Sequence, residues 1–174
     1  MTIKRSSRPV SAARIRRVAR GLLAASELCA IATASRGGRP HVNTAYFAWA
    51  PDFRIVWISE PHATHSRNLR RNSSAAVAVY DSSQSWGKQD RGIQLFGTAR
   101  ELTGDSARDA KRIYAGRFPD YREAELAAYL PYELRPSRMK LFEEQALGAA
   151  VFVTARVDRN GGVTWERTEV YEPA

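Results

Sequence analysis

Arg54-Ile-Val-Trp-Ile-Ser59, followed by Glu60-Pro-His-Ala-Thr-His-Ser-Arg-Asn-Leu-Arg-Arg-Asn72 and Ser73-Ser-Ala-Ala-Val-Ala-Val-Tyr-Asp81, reads as strand, short helix, strand. The first piece is β-branched and aromatic. Ile55 and Trp57 occupy one pleat face, Val56 and Ile58 the other, so a strand buried on both faces is expected. Pro61 suits a first helical turn, where its missing N–H costs nothing. Asn72, Ser73 and Ser74 end the helix, and Ala75 to Tyr80 reads as the next strand. A helix over residues 61–71 has only Ala63 and Leu69 to bury. It sets Thr64, His65, Ser66, Arg67 and Asn68 in its first two turns. The free N–H groups and partial positive charge of a helix start suit an anion. Hydroxyls at Ser59, Thr64 and Ser66 and the Arg67 guanidinium would complete a phosphate site. The same residues also fit a polar surface helix with solvated arginines.

Composition narrows the field. A chain of 174 residues fits one domain, and 44% hydrophobic residues with 10% aromatics exclude a disordered chain. The single Cys29 excludes a disulfide framework and suits a reducing cytosol, so a cytoplasmic protein is expected. Set among Leu28, Ala30 and Ile31, it reads as a small buried hydrophobe. No apolar run approaches the ~18 residues of a membrane span. The net charge of +9 is uneven: residues 1–26 carry seven basic side chains and no acid, while the other 20 basic residues nearly balance 18 acids. Nucleic-acid contact would rest on that arm alone and is not the expected partnership.

Residues 1–10 read as a mobile basic tail, and 11–174 as a single domain. Ser11 can cap a helix to about Ser26, with Ile15, Val18, Ala19, Leu22 and Leu23 on one apolar face. That stripe docks a surface helix; nucleic-acid or membrane-surface binding is the alternative. Leu28 to Ala34 and His41 to Ala50 form a hairpin across Gly37-Gly38. Asn43 and Thr44 lie in this otherwise apolar return strand. They are either hydrogen-bonded core groups or part of a polar ligand's pocket. Trp86 sits in the polar loop 81–92 and should bury itself against the body or a subunit, or stack on a ligand. Gln94 again lies among apolar neighbours in the strand 93–102, whose Gly97 suggests close backbone approach. Helices are expected over 103–118 and 120–130, the second stopped by Pro131 and Pro136. Strands 138–144, 149–157 and 163–171 follow, the last two joined by a turn at Asp158-Arg-Asn-Gly-Gly162. Six to eight evenly spaced strands with flanking helices imply a mainly β, closed antiparallel barrel.

No glycine-rich phosphate loop and no nucleophile elbow is present. His62 and His65 are three apart, but no third ligand accompanies them, so no metal is expected. A chain without its own nucleophile, base or metal must borrow reactivity from an organic cofactor, here one with a phosphate handle.

The ordered words Leu28-Cys-Ala-Ile-Ala-Thr-Ala34, Gly37-Gly-Arg-Pro-His-Val-Asn-Thr-Ala-Tyr-Phe47, Ile55-Val-Trp-Ile-Ser59, His65-Ser-Arg-Asn-Leu-Arg-Arg-Asn72, Val77-Ala-Val-Tyr-Asp81 and Gly92-Ile-Gln-Leu-Phe-Gly-Thr-Ala99 resemble the pyridoxamine 5'-phosphate oxidase-like, FMN-binding split-barrel family. The resemblance implies a split barrel and a homodimer with FMN at the subunit interface. Asn43, Thr44 and Ala45 would lie along the flavin ring. Ile58 and Ser59, with Thr64, His65, Ser66 and Arg67, would hold its phosphate, and Gln94 would reach the flavin from its own strand. Many members carry Arg-Lys where this chain has Thr64-His65. That wording is closer to a branch containing haem-utilisation proteins. The family's C-terminal substrate-binding motifs of Trp and Arg are missing, so vitamin B6 oxidation is not expected. The resemblance thus implies an FMN-dependent oxidoreductase acting on an unidentified small molecule. Its alternatives are a haem- or deazaflavin-binding barrel, or a non-catalytic flavin- or nucleic-acid-binding module.

Overall fold

A computed structural model describes residues 2–6 and 8–172. Its elements run β1 (Thr2–Ser6), α1 (Ala12–Ala24), β2 (Leu28–Ala34), β3 (Pro40–Trp49), β4 (Ile55–Ser59), α2 (Thr64–Leu69), β5 (Ser74–Tyr80), β6 (Arg91–Glu101), α3 (Gly104–Arg117), a 3₁₀ turn (Glu123–Leu126), β7 (Leu130–Glu143), α4 (Glu144–Leu147), β8 (Val151–Val157) and β9 (Val163–Glu172). The strands hydrogen-bond in the order β1-β9-β8-β7-β4-β3-β2-β5-β6. A further pairing of β7 with β6 closes six of them into an antiparallel barrel, with β8, β9 and β1 added beside β7. The fold is mainly β, as the even spacing of strands and turns requires. The chain divides into two compact units, each built from interleaved segments. One takes the chain up to Ser26, Ala78–Leu95 and the chain from Ser137; the other takes Glu27–Val77 and Phe96–Pro136.

In the second unit β2 and β3 pair antiparallel, with Cys29 opposite Ala45 and Ile31 opposite Asn43. Their turn closes through Gly38, whose φ of +81° only glycine adopts without strain. β4 pairs with β3 and β7, Trp57 lying opposite Phe47 and Tyr132. Ile55, Val56 and Trp57 are all fully buried, as expected of a strand covered on both faces. α3 packs Ala110 and Tyr114 against Ala48 and Val56. Gly97 marks a close approach: a Cβ there would run into the Arg135 carbonyl and lie 2.8 Å from Pro136 Cα.

In the first unit Ser11 caps α1, its hydroxyl accepting from the Arg14 N–H at 3.3 Å. Ile15, Val18, Ala19, Leu22 and Leu23 are the buried stripe, and the helix packs on β9. The β8–β9 turn is held by Asp158, whose carboxylate accepts from the N–H groups of Asn160 and Gly162 at 2.8 Å each.

Several expectations are corrected. Residues 1–10 are not all tail: Thr2–Ser6 pairs with Thr168–Glu172 and adds the Lys4–Glu172 ion pair. The helix expected over 120–130 is only a single 3₁₀ turn. Pro131 and Pro136 lie inside β7: Pro131 is its second residue, where proline is tolerated, with its carbonyl accepting from the Leu102 N–H at 2.9 Å, and Pro136 falls between the stretches paired with β4 and with β8. Trp86 is fully exposed and so is not buried against the body of its own chain, one of the places expected for it.

Candidate functional site

The second unit holds a cavity of about 470 Å³. One wall is β3, contributing His41, Asn43, Thr44, Ala45 and Tyr46. A second is the end of β4 and the start of α2, with Ile58, Ser59, Ala63, Thr64 and His65. Tyr114 of α3, with Leu126 and Tyr129, makes the third.

Short-range bonds fix the second wall. The chain turns at Glu60, whose carbonyl accepts from the Ala63 N–H at 3.2 Å and the Ser66 hydroxyl at 2.9 Å. Asn68 donates its side-chain amide to the Thr33 hydroxyl at 3.1 Å, tying α2 to β2. His65 meets Tyr132 edge-on at 5.9 Å, and Tyr132 stacks on Trp57 at 5.6 Å. The helix therefore does have a buried side. His65, Ser66, Asn68 and Leu69 are buried, not Leu69 with Ala63 alone, and the partnered side chains of Ser66 and Asn68 are buried as readily as apolar ones.

Seven of the ten residues singled out from the sequence line this cavity: Asn43, Thr44, Ala45, Ile58, Ser59, Thr64 and His65. Ser66 is fully buried, and its hydroxyl is spent on the Glu60 carbonyl, so it shapes the turn instead of lining the cavity. Arg67 is exposed beside the cavity. It donates to the His62 carbonyl at 2.5 Å and to the Thr64 hydroxyl at 3.2 Å. Gln94 is exposed on β6 and is not part of the lining. Sequence reasoning missed the aromatic third wall. Tyr114 has helical core spacing, and nothing local marks Leu126 or Tyr129 as neighbours of β3. Trp57, close in sequence to Ile58 and Ser59, is fully buried and does not line the cavity.

Two polar atoms are left over. Asn43 Oδ1 and His65 Nε2 are buried and have no hydrogen-bond partner. Such groups cost about 1–3 kcal/mol each when unsatisfied. The His65 pKa lies below the ordinary histidine value, first through burial and then through the nearby His41, with Glu60 opposing. The imidazole is therefore neutral near pH 7, and the cavity holds no fixed positive charge of its own. Burial pushes the Cys29 thiol up to about 12, so it is inert. Among the described residues no cluster of three or more His, Cys, Asp or Glu is arranged to hold a metal.

A closed six-stranded antiparallel barrel with a polar cavity at the strand–helix junction defines a split-barrel protein. A sequence model of the pyridoxamine 5'-phosphate oxidase family matches residues 15–143, and the chain belongs to that family. A search of curated proteins finds no match. Solved structures share the fold. A conserved hypothetical protein of Mycobacterium tuberculosis is 18% identical with a TM-score of 0.64, the alignment covering 83% of this chain and 92% of that one. A Clostridium acetobutylicum protein of the pyridoxinephosphate oxidase family, related to a general stress protein, is 13% identical over 83% of this chain and 96% of that one, with a TM-score of 0.60. A haem-binding protein of Mycobacterium smegmatis is 16% identical over 95% of this chain and 89% of that one, with a TM-score of 0.57.

Proposed function

We propose that this chain is a cytoplasmic FMN-dependent oxidoreductase of a small organic molecule, working as a homodimer with its cofactor at the subunit interface. The observation that carries the reading is that Asn43 and His65, whose Oδ1 and Nε2 are buried without a hydrogen-bond partner, both line one cavity. Buried polar groups without partners call for a polar ligand. The residues present fit FMN. Asn43 and Thr44 can accept and donate along a flavin edge, and Ala45 leaves room for a flat ring. Ser59 and Thr64 offer hydroxyls to a phosphate, with Arg67 at the margin for its charge. Bound there, the flavin would supply hydride or electron transfer. The protein would supply orientation, hydrogen bonds and exclusion of water.

A second copy is the proposed cover for the outer face of β2 and β3. Leu28, Val42 and Tyr46 are 47, 62 and 54% exposed, and Leu28 lies directly across from Tyr46. Tyr46 belongs to both this apolar face and the cavity, so a partner on the face would also wall the site.

The test is titration of the purified protein with FMN, followed by quenching of flavin fluorescence. Stoichiometric binding that fails in Asn43→Leu supports the reading; no binding removes it. A second reading, haem, rests on His65. An unpartnered, neutral imidazole nitrogen on a residue that lines a cavity has the chemistry of an axial iron ligand. Titration with haemin would then give a Soret band that His65→Gln abolishes.

A further inference from the structure

The first 26 residues carry seven basic side chains and no acid. α1 puts three of them on one open face. Arg16, Arg17 and Arg20 stand around Ala13 and enclose an open concavity of about 580 Å³. The spacing i, i+3, i+4, i+7 makes these four one helical stripe, opposite the buried stripe of Ile15, Val18 and Leu22. Many arginines elsewhere are engaged, Arg54, Arg70, Arg100, Arg135, Arg138 and Arg167 pairing with carboxylates, and those without a carboxylate, such as Arg36 and Arg159, do not share a helix stripe. Arg16, Arg17 and Arg20 have no carboxylate partner among the described residues, and Arg16 Nε is buried without any hydrogen-bond partner. Arg14 alone on this helix turns aside, to the Ala146 carbonyl.

We propose that this face of α1 docks on the sugar–phosphate backbone of a nucleic-acid duplex, with Arg16, Arg17 and Arg20 each meeting a phosphate. Charge complementarity selects the partner. An unneutralised arginine trio is matched by closely spaced anions, and the planar guanidinium fork fits phosphate oxygens. At a rise of ~1.5 Å per residue, Arg16 and Arg20 are ~6 Å apart along the axis. Long guanidinium side chains on that span can reach neighbouring phosphates of one strand, whose charges repeat every ~3.4 Å of duplex axis. The helix is not built to enter a membrane surface, because its apolar stripe is already packed on β9. The concavity is walled by one helix only, so it does not enclose a small ligand. The proposed contacts are all to phosphates, which carry no sequence information, so binding is independent of sequence.

The experiment uses the full chain and a fluorescent mixed-sequence DNA duplex of roughly 20 bp, with anisotropy measured from about 50 to about 200 mM salt. The expected result is salt-dependent binding. The triple variant Arg16→Gln, Arg17→Gln, Arg20→Gln should bind at least about tenfold more weakly at low salt, with the log–log salt slope reduced by roughly 3, near one per lost phosphate contact. A control triple variant, Arg36→Gln, Arg108→Gln, Arg159→Gln, removes the same charge from exposed positions elsewhere and should leave the slope unchanged. Circular dichroism of both variants checks that they are folded. No duplex binding by the intact protein overturns the proposal. So does equal loss in the two triple variants, or binding to anionic lipid vesicles without binding to the duplex.

Discussion

His65 is the residue whose chemistry separates the two cofactor readings. It faces His41 from β3, Glu60 from the turn before α2 and Tyr132 from β7, and burial keeps it neutral near pH 7. The lining contains no lysine or arginine, so a phosphate dianion would favour the imidazolium of His65. The bound pKa then exceeds the free one, and binding takes up a proton. FMN affinity should rise as pH falls from about 8 to about 6, by up to about tenfold per unit for one proton. Haem held through Nε2 has the opposite sign, since the proton competes with the iron. Calorimetric titration at several pH values decides between them. The unliganded chain shows the reverse linkage. Its folded His65 binds a proton less readily than the unfolded one, so stability falls as pH drops below ~6.5. Thermal melts should show this slope in the wild type and a shallower one in His65→Gln. Arg67 is the second test at this scale. It already orients the Thr64 hydroxyl, at 3.2 Å, and is the cation nearest that wall. Arg67→Ala should weaken FMN binding by ~1–3 kcal/mol through loss of a charge-assisted bond. Unchanged affinity would move the phosphate away from α2.

Elements differ in how plainly their sequences declare them. The β2–β3 hairpin was legible because Gly37-Gly38 and alternating side chains state turn and register together. The strands β4 and β5 around α2 were legible for the same reason of composition. The 3₁₀ turn at Glu123–Leu126 was not, since Ala, Glu and Leu favour a helix locally while Pro131 is taken into β7 by pairing with Ile58. The aromatic wall of the cavity was equally hidden, because Tyr114 meets β3 only through the packing of α3. β7 also carries a feature that no local pattern announces. Glu133, 1% exposed, accepts from Arg135 Nε at 2.9 Å and Arg100 Nε at 3.1 Å, with Arg54 Nη1 at 3.5 Å. Burial pushes its pKa up, but Arg135 and Arg100 more than offset this and hold it below the ordinary glutamate value. Its contribution to stability is thus present above the unfolded pKa near 4.5 and lost as pH falls through the lower folded value. Glu133→Gln leaves three guanidiniums facing one another. Two of them are partly solvated, which keeps the expected cost toward ~2–3 kcal/mol rather than the upper end for a buried pair. Urea denaturation at pH 7 measures it, and the difference from wild type should shrink in acid.

At the scale of the whole molecule, the question is whether one chain suffices to make the site. Cross-strand neighbours Leu28 with Tyr46 and Ala32 with Val42 put an apolar surface on the outside of β2 and β3. Large side chains exposed side by side are the mark of an interaction surface, and a self-complementary face gives a closed dimer. Val42→Glu tests this with little risk to the subunit's own fold, because Val42 is 62% exposed. A buried glutamate facing its own copy across a two-fold axis would be strongly unfavourable. Light scattering should find the variant monomeric where the wild type is dimeric. FMN affinity should drop in parallel by at least about tenfold, or ~1.4 kcal/mol, if the partner supplies part of the ring's contacts. Dilution of the wild type through its dimer dissociation constant should weaken FMN binding in the same way. A monomeric variant with unaltered affinity would mean that Asn43, Ser59, Thr64 and His65 hold the cofactor within a single chain, and that the apolar face serves some other contact.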